Sequence, residues 1–135
     1  EYDTKISVAS STNWRLVMGA EDASLINTDS ISGSASMPLD YIGYTIEVDA
    51  TGSYNSDNNA SSLQALSQIT SPTPSSVLEY DGTNPNAGSA GDNSFTINWE
   101  CATNTPPVSG PLLGSNLTGG RYATNVFLIL ERDTN

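Results

Sequence analysis

The chain contains no histidine, one lysine and three arginines among its 135 residues. The absence of histidine removes Ser-His-Asp and Cys-His nucleophile arrangements, histidine general bases and the common zinc ligand sets. Fifteen acidic residues outnumber the basic ones and give a formal net charge of −11, so a surface that neutralises nucleic-acid phosphates is not expected. We therefore expect neither an enzyme nor a nucleic-acid partner.

Long apolar segments and paired cysteines are also missing. The longest uninterrupted apolar run covers residues 126–130, whereas a membrane-spanning helix needs roughly 20 apolar residues. Cys101 is the single cysteine and cannot form a disulfide within its own chain. We expect it to be buried in a strand, because free cysteine is among the most buried residue types. An intermolecular crosslink is the alternative.

Neutral polar residues take the place of charges in this chain. Serine, threonine and asparagine number 20, 14 and 13, while charged residues make up 14 % of the chain, compared with about a quarter in typical soluble domains. Hydrophobic residues reach 36 % and include two tryptophans and six tyrosines, which is enough for a core. A surface of hydroxyls and amides is typical of proteins outside the cell, so we expect an extracellular or cell-surface protein.

Short stretches of β-forming residues, bounded by Ser, Gly, Asn, Asp or Pro, recur along the sequence. Alternation of apolar and polar side chains is typical of a strand with one buried face. We predict strands at 2–8, 14–18, 41–48, 77–80, 95–99 and 122–131, short edge pairings within 24–37, and a short helix or 3₁₀ turn at 63–69. The last strand is apolar on both faces from 127 to 130, so we expect it at the centre of a sheet.

These elements predict one all-β domain that covers residues 1–135. Seven or eight strands without a disulfide favour an immunoglobulin-like β-sandwich. A jelly roll is the alternative architecture.

The two ends of the chain resemble secreted pilin-like subunits that polymerise by donor-strand exchange. The alternating segment Glu1–Ser10 looks like the donor strand, and residues 119–122 (Gly-Gly-Arg-Tyr) with the strand after them look like the edge of the acceptor groove. The resemblance implies a sandwich that lacks one strand and is completed by the neighbouring subunit, which is recognition by β-augmentation. It implies polymer contacts at Tyr2, Thr4, Ile6 and Val8, and an acceptor strand that carries Tyr122, Val126, Leu128 and Leu130.

The chain differs from chaperone–usher pilins at two points. Those proteins commonly contain a disulfide and an aromatic residue beside the C-terminus, whereas this chain has one cysteine and ends in Asp-Thr-Asn. The resemblance therefore implies a mode of assembly and no particular pilus class. The function that follows is a structural subunit of a pilus- or fimbria-like extracellular filament, whose partners are copies of itself.

Residues 2–8 have a second interpretation, as the first strand of their own domain. Both interpretations place the alternate side chains of this segment against a core. The long segment Thr103–Gly120 has three prolines and no strand pattern. We expect it either to let the last strand cross between sheets or to cover the donor site.

Carbohydrate binding by a monomeric module is the alternative function, with host or surface glycans as partners. Aromatic side chains stack on sugar rings, and amides or carboxylates bind their hydroxyls. We expect Trp14 and Trp99 in the core, because both belong to strands with apolar neighbours. Tyr54 lies in a polar stretch and is the best candidate for an exposed ring.

The sequence identifies no catalytic, metal or cofactor site. Acidic and amide side chains occur in the predicted loops, but the Asp-x-Asp-x-Asp-Gly spacing of a calcium loop is missing. Two glycosylation sequons begin at Asn59 and Asn116, both in predicted loops.

Overall fold

A computed structural model describes residues 2–29, 35–48, 54–55, 61–69, 74–82 and 85–134. Within these ranges the protein is all-β, with antiparallel strand pairings and no α-helix, which confirms the all-β part of the predicted fold class. The strands are β1 (Tyr2–Ser7), β2 (Trp14–Ala20), β3 (Ser24–Asn27), β4 (Ser36–Pro38), β5 (Ile42–Val48), β6 (Tyr54–Asn55), β7 (Gln64–Ala65), β8 (Ser75–Tyr80), β9 (Ser94–Cys101), β10 (Tyr122–Ala123) and β11 (Val126–Arg132). The described helices are short 3₁₀ turns, too short to cross a membrane.

The strands form three sheets. One sheet has the order β1-β9-β5-β7, a second has the order β11-β2-β8-β6, and a small third sheet has the order β10-β3-β4. β9 and β5 pair over seven residues, from Phe95 with Val48 to Cys101 with Ile42. β2 and β8 pair with a register shift at Leu16/Val17, which is a local irregularity of the kind that bends a strand.

Alternation along the strands places the core as the sequence predicts. Tyr44 and Ile46 of β5, and Phe95 and Ile97 of β9, are all at most 4 % exposed. The polar residues between them point to the opposite face. All three sheets contribute to one hydrophobic cluster, which also contains Trp14 at 1 % exposure.

Asn86 fastens an irregular loop to the start of β2. Its side-chain Oδ1 accepts the Trp14 backbone N–H at 2.9 Å, and its Nδ2 donates to the Trp14 carbonyl at 2.7 Å. The Trp14 indole N–H donates to the Asn86 carbonyl at 2.8 Å. The Asn86 side-chain amide thus makes the two hydrogen bonds with the β2 backbone that a neighbouring strand would make. Because these bonds satisfy its polar atoms, the Asn86 side chain can be buried at 1 % exposure.

The short helix predicted at 63–69 is confirmed in part, because Gln64–Ala65 forms strand β7. Leu66–Ile69 forms a 3₁₀ helix with both of its terminal residues buried. A second 3₁₀ helix, Leu39–Tyr41, precedes β5. Tyr41 therefore lies outside the strand that the sequence predicts from this position.

The prediction for the C-terminal strand is wrong in two respects. Residues 122–131 form two strands instead of one, and β10 and β11 belong to different sheets. β11 also lies at the edge of its sheet instead of the centre. An apolar sequence on both faces is equally compatible with an edge strand whose faces are incompletely covered.

The prediction that Cys101 is buried is also wrong. It is the last residue of β9 and is exposed. The exposure arises because the end of β9 extends to the border of the sheet, where Cys101 pairs with Ile42, the first residue of β5.

Candidate functional site: two edge strands

β1 and β11 are edge strands of the two four-stranded sheets. An edge strand presents unpaired backbone N–H and C=O groups, which can pair with another chain. The two strands contain most of the residues that the sequence predicts to act in assembly.

β1 pairs with β9 of its own chain along its full length. The register runs from Tyr2 opposite Trp99 to Ser7 opposite Ser94. The N-terminal segment therefore takes the second of the two predicted arrangements in the isolated chain. Its predicted pairing with a neighbouring copy stays a prediction.

The side chains on the inward face of β1 are at most partly buried. Thr4 Oγ1 accepts the Trp99 indole N–H at 3.0 Å, and Ile6 packs partly against the core. Tyr2, although it lies opposite Trp99, is 73 % exposed. None of the six residues of β1 is buried.

The chain becomes firmly anchored directly after β1. Val8 is 7 % exposed, and its N–H donates to the Asn93 carbonyl at 2.8 Å. Ser10 and Gly88 exchange two backbone hydrogen bonds of 3.0 and 2.8 Å. Of the predicted polymer contacts, Val8 thus belongs to the core of its own chain, while Tyr2, Thr4 and Ile6 lie on the segment before this anchor.

β11 has exposed leucines on the face that it shares with the core residues of β2. Leu128 and Leu130 lie directly opposite Met18 and Leu16 of β2, and directly opposite residues in an antiparallel pair share one face of the sheet. Met18 and Leu16 are core residues at 0 % and 3 % exposure, whereas Leu128 and Leu130 are 38 % and 49 % exposed. Two leucines on the core side of the sheet are therefore open to solvent.

The other face of β11 is apolar as well. Phe127 lies over Gly19 so closely that a Cβ at Gly19 would be 2.4 Å from the ring. Ile129, on the same face, is 42 % exposed.

The charged end of β11 is fixed by an ion pair with β2. Arg15 donates to Glu131 through Nε and Nη2 at 2.8 and 2.6 Å. This hydrogen bonding, together with the negative charge of Glu131, raises the pKa of Arg15 above its usual value. The pair sits beyond the apolar run, which itself carries no charge.

The four predicted acceptor residues do not lie on one strand. Tyr122 belongs to β10, where it pairs with Asn27, and its hydroxyl donates to the Thr118 carbonyl at 2.5 Å. Val126, Leu128 and Leu130 are on β11. The structure thus separates Tyr122 from the other three.

The middle of the long loop 103–120 is fixed against β5 and the 3₁₀ helix that precedes it. Val108 is 3 % exposed and packs on Gly43 of β5, where an added Cβ would be 2.3 Å from its Cγ2 atom. Ser109 fixes this part of the loop through its N–H and hydroxyl, which donate to the Asp40 carbonyl and carboxylate at 2.7 and 2.8 Å. β9 separates this region of β5 from β1 in the sheet.

The aromatic residues considered for sugar binding are mostly occupied in packing. Trp14 is buried, as predicted, and Trp99 is half-buried and bound to Thr4. The Tyr54 backbone pairs with Tyr80, and the Tyr54 side chain lies outside what the structure describes.

Of the two predicted glycosylation positions, the structure describes one. Asn116 is exposed in the long loop, and Asn59 lies outside the described residues. No group of three or more acidic or cysteine side chains in the described ranges is arranged to hold a metal ion.

The two interpretations of the C-terminal strand disagree about Leu128 and Leu130. The resemblance implies an acceptor strand at a groove edge that carries both leucines, whereas the apolar run on both faces at 126–130 predicts a central strand, and β11 lies at an edge. Comparisons with protein-family models, with curated protein sequences and with solved structures find no match to this chain.

Proposed function

We propose that this protein is a non-enzymatic structural subunit of an extracellular, pilus- or fimbria-like filament. Its copies are joined by exchange of β1, and its sheets pack as an immunoglobulin-like β-sandwich. The observation that carries the proposal is the state of β1: it pairs fully with β9 as an edge strand, yet none of its residues is buried. Such a strand can move to another copy at low cost.

The acceptor in this proposal is the β9 edge, with which β1 pairs, whereas the resemblance implies an acceptor strand that carries Tyr122, Val126, Leu128 and Leu130. Every contact that β1 makes with its own β9, including the Thr4–Trp99 hydrogen bond, is available unchanged on β9 of a neighbouring copy. Exchange of an identical element between copies breaks and remakes the same interactions, so it is a low-cost route to association.

The length of the segment suits this transfer. The six residues of β1 span about 20 Å at about 3.3 Å per residue, enough to lie along the whole β1–β9 pairing of a neighbour. The anchors at Val8 and Ser10 hold the donor copy together while residues 2–7 leave.

The direction of the exchange favours a filament. Each copy gives its β1 to one neighbour and receives β1 from another, which is a head-to-tail contact. Head-to-tail contacts that do not close into a ring continue into an open polymer.

Carbohydrate binding stays the alternative prediction. Among the described residues, the burial of Trp14 and the packing of Trp99 remove two of the aromatic surfaces on which it depends.

A disulfide trap tests the exchange. Asp3 and Asn98 are opposite each other in the β1–β9 pairing, and Cβ atoms at such positions lie about 5 Å apart, close enough for a disulfide after small adjustments. The experiment uses the full chain with Asp3→Cys, Asn98→Cys and Cys101→Ser, oxidised after assembly. A non-reducing gel should show a ladder of multiples of the 14.2 kDa chain.

Two single-cysteine chains provide the matched control. Asp3→Cys and Asn98→Cys chains, each also carrying Cys101→Ser, should crosslink to each other when they are assembled as a mixture and much less when each is assembled alone. The double variant could instead give only a monomer with an internal disulfide, at concentrations where native material is polymeric. β1 would then pair only with β9 of its own chain, and the proposal would be wrong.

A further inference from the structure

Among the described residues, the outer edge of β11 lacks the features that usually protect an edge strand. Natural edge strands are shielded by charges, prolines, bulges or covering loops, and residues 126–130 contain neither a charge nor a proline. β1, by contrast, carries Asp3 and Lys5. In the part of the chain that the structure describes, β2 is the one strand that pairs with β11.

The geometry points to β11 of a second copy as the strand that covers this edge, paired antiparallel around a two-fold axis at Leu128. In that register Leu128 lies opposite itself, Val126 opposite Leu130, and Phe127 opposite Ile129. Apolar residues on the core side then face apolar residues on the core side of the second copy, and those on the outer side face each other in the same way. The five-residue apolar run is covered along its whole length.

Charge also favours this occupant. The same register places Glu131 opposite Asn125 and Arg132 opposite Thr124, so no two like charges face each other. Two copies with a net charge of −11 each repel overall, and they associate best where their contact carries no net charge. β11 is such a surface.

β1 of a second copy fits the edge less well. It would bring Asp3 and Lys5 onto a sheet edge that is apolar on both faces, and it would leave β9 uncovered in the copy that donates it. Pairing of β11 with β11 disturbs none of the strand pairings that each copy already has.

The contact would join two four-stranded sheets into one sheet of eight strands. It is isologous, so it closes at two copies and does not propagate. In a filament built by exchange of β1 it would tie subunits side by side in pairs. It does not depend on that exchange, because β1 takes no part in it.

Self-crosslinking at the axis is the direct test. In a Cys101→Ser chain, Leu128→Cys should form a disulfide-linked dimer of twice the 14.2 kDa chain mass, because the two cysteines are opposite each other. Ile129→Cys is the matched control, since Phe127 of the second copy lies opposite it in this register. Equal crosslinking at both positions, or none at Leu128→Cys, would overturn the proposal.

A charge placed on the edge provides a second measurement that does not rely on cysteines. Ile129→Lys should weaken dimerisation in sedimentation velocity by about tenfold or more. Ile26→Lys is the control, because Ile26 is similarly exposed (40 %) but lies on β3. Equal effects of the two substitutions would contradict the inference.

A dimer through β11 without a β1 ladder would refute only the exchange of β1, and a ladder without this dimer would refute only the pairing of β11.

Discussion

Tyr44 has a buried hydroxyl for which the described residues offer no hydrogen-bond partner. Burial raises the pKa of Tyr44 from 10 to about 12. The folded protein therefore holds this proton more tightly than the unfolded chain does. The resulting stability is fully present below pH 10 and is lost as the pH rises through 12.

Tyr44→Phe tests this description of the site. At pH 7 we expect its free energy of unfolding to equal that of the native chain or to exceed it by about 1 kcal/mol, because an unsatisfied polar atom is removed. Between pH 10 and 12 the native chain should lose up to about 3 kcal/mol more than the variant. Urea unfolding across this pH range measures both effects.

Tyr122→Phe is the control for this experiment, because the Tyr122 hydroxyl donates to a carbonyl. It should cost about 1 kcal/mol at pH 7. If Tyr44→Phe were the more destabilising of the two at pH 7, the Tyr44 hydroxyl would have to have a partner.

The Asn86 side chain supplies a second prediction at this scale. Asn86→Ala removes both side-chain hydrogen bonds to the Trp14 backbone and leaves that buried N–H and C=O unpaired. We expect a loss of about 3 kcal/mol in urea unfolding. The exposed Asn116 is the reference: Asn116→Ala should change stability by less than about 0.5 kcal/mol. Equal effects would show that the bonds to Trp14 contribute nothing.

At the scale of strands, the sequence predicts those elements whose two faces differ. β5 and β9 alternate between apolar and polar residues, so their position and inward face are predictable. Burial is less so, because Thr96 on the opposite face of β9 is also buried. β11 has no such contrast, and its placement depends on which strand lies beside it, which local sequence does not encode. The exposure of Cys101 likewise depends on how far β9 extends toward the border of the sheet, where Cys101 pairs with Ile42. For the same reason the sequence predicts the inward residues of β1 but not the strand beside it.

The packing of β11 on β2 makes a testable element-level prediction at Gly19. A methyl group there would collide with the Phe127 ring and contact Pro74. Gly19→Ala should therefore destabilise the fold by about 1–3 kcal/mol through overpacking. Gly119→Ala is the matched control, since nothing lies within 4 Å of its added Cβ.

A double-mutant cycle connects this loss to β11 itself. Phe127→Ala removes the colliding ring, so Gly19→Ala should cost less in that background than in the native chain. An unchanged cost would place the strain somewhere other than the β2–β11 contact.

For the whole molecule, the dominant quantity is a net charge of −11 on 135 residues. Copies of such a chain repel each other at long range, which suppresses unspecific aggregation of its exposed apolar edge. The two proposed contacts lie on strands β1 and β11, where hydrogen bonds and apolar burial can act at short range. Repulsion should therefore limit the rate of assembly, while strand pairing determines its stability.

Changing the ionic strength distinguishes the effect of charge repulsion from that of strand pairing. The Debye length falls from about 30 Å at 0.01 M salt to about 8 Å at 0.15 M, so added salt should screen repulsion between approaching copies and accelerate filament growth several-fold, as followed by light scattering. Completed filaments should persist when salt is diluted, because backbone pairing holds them.

Lowering the pH toward the isoelectric point near 4.1 should also accelerate filament growth, since carboxylates lose their charge and the repulsion between copies falls. Growth that slows with added salt would show instead that attraction between opposite charges drives assembly, and exchange of β1 would then not be the step that controls it.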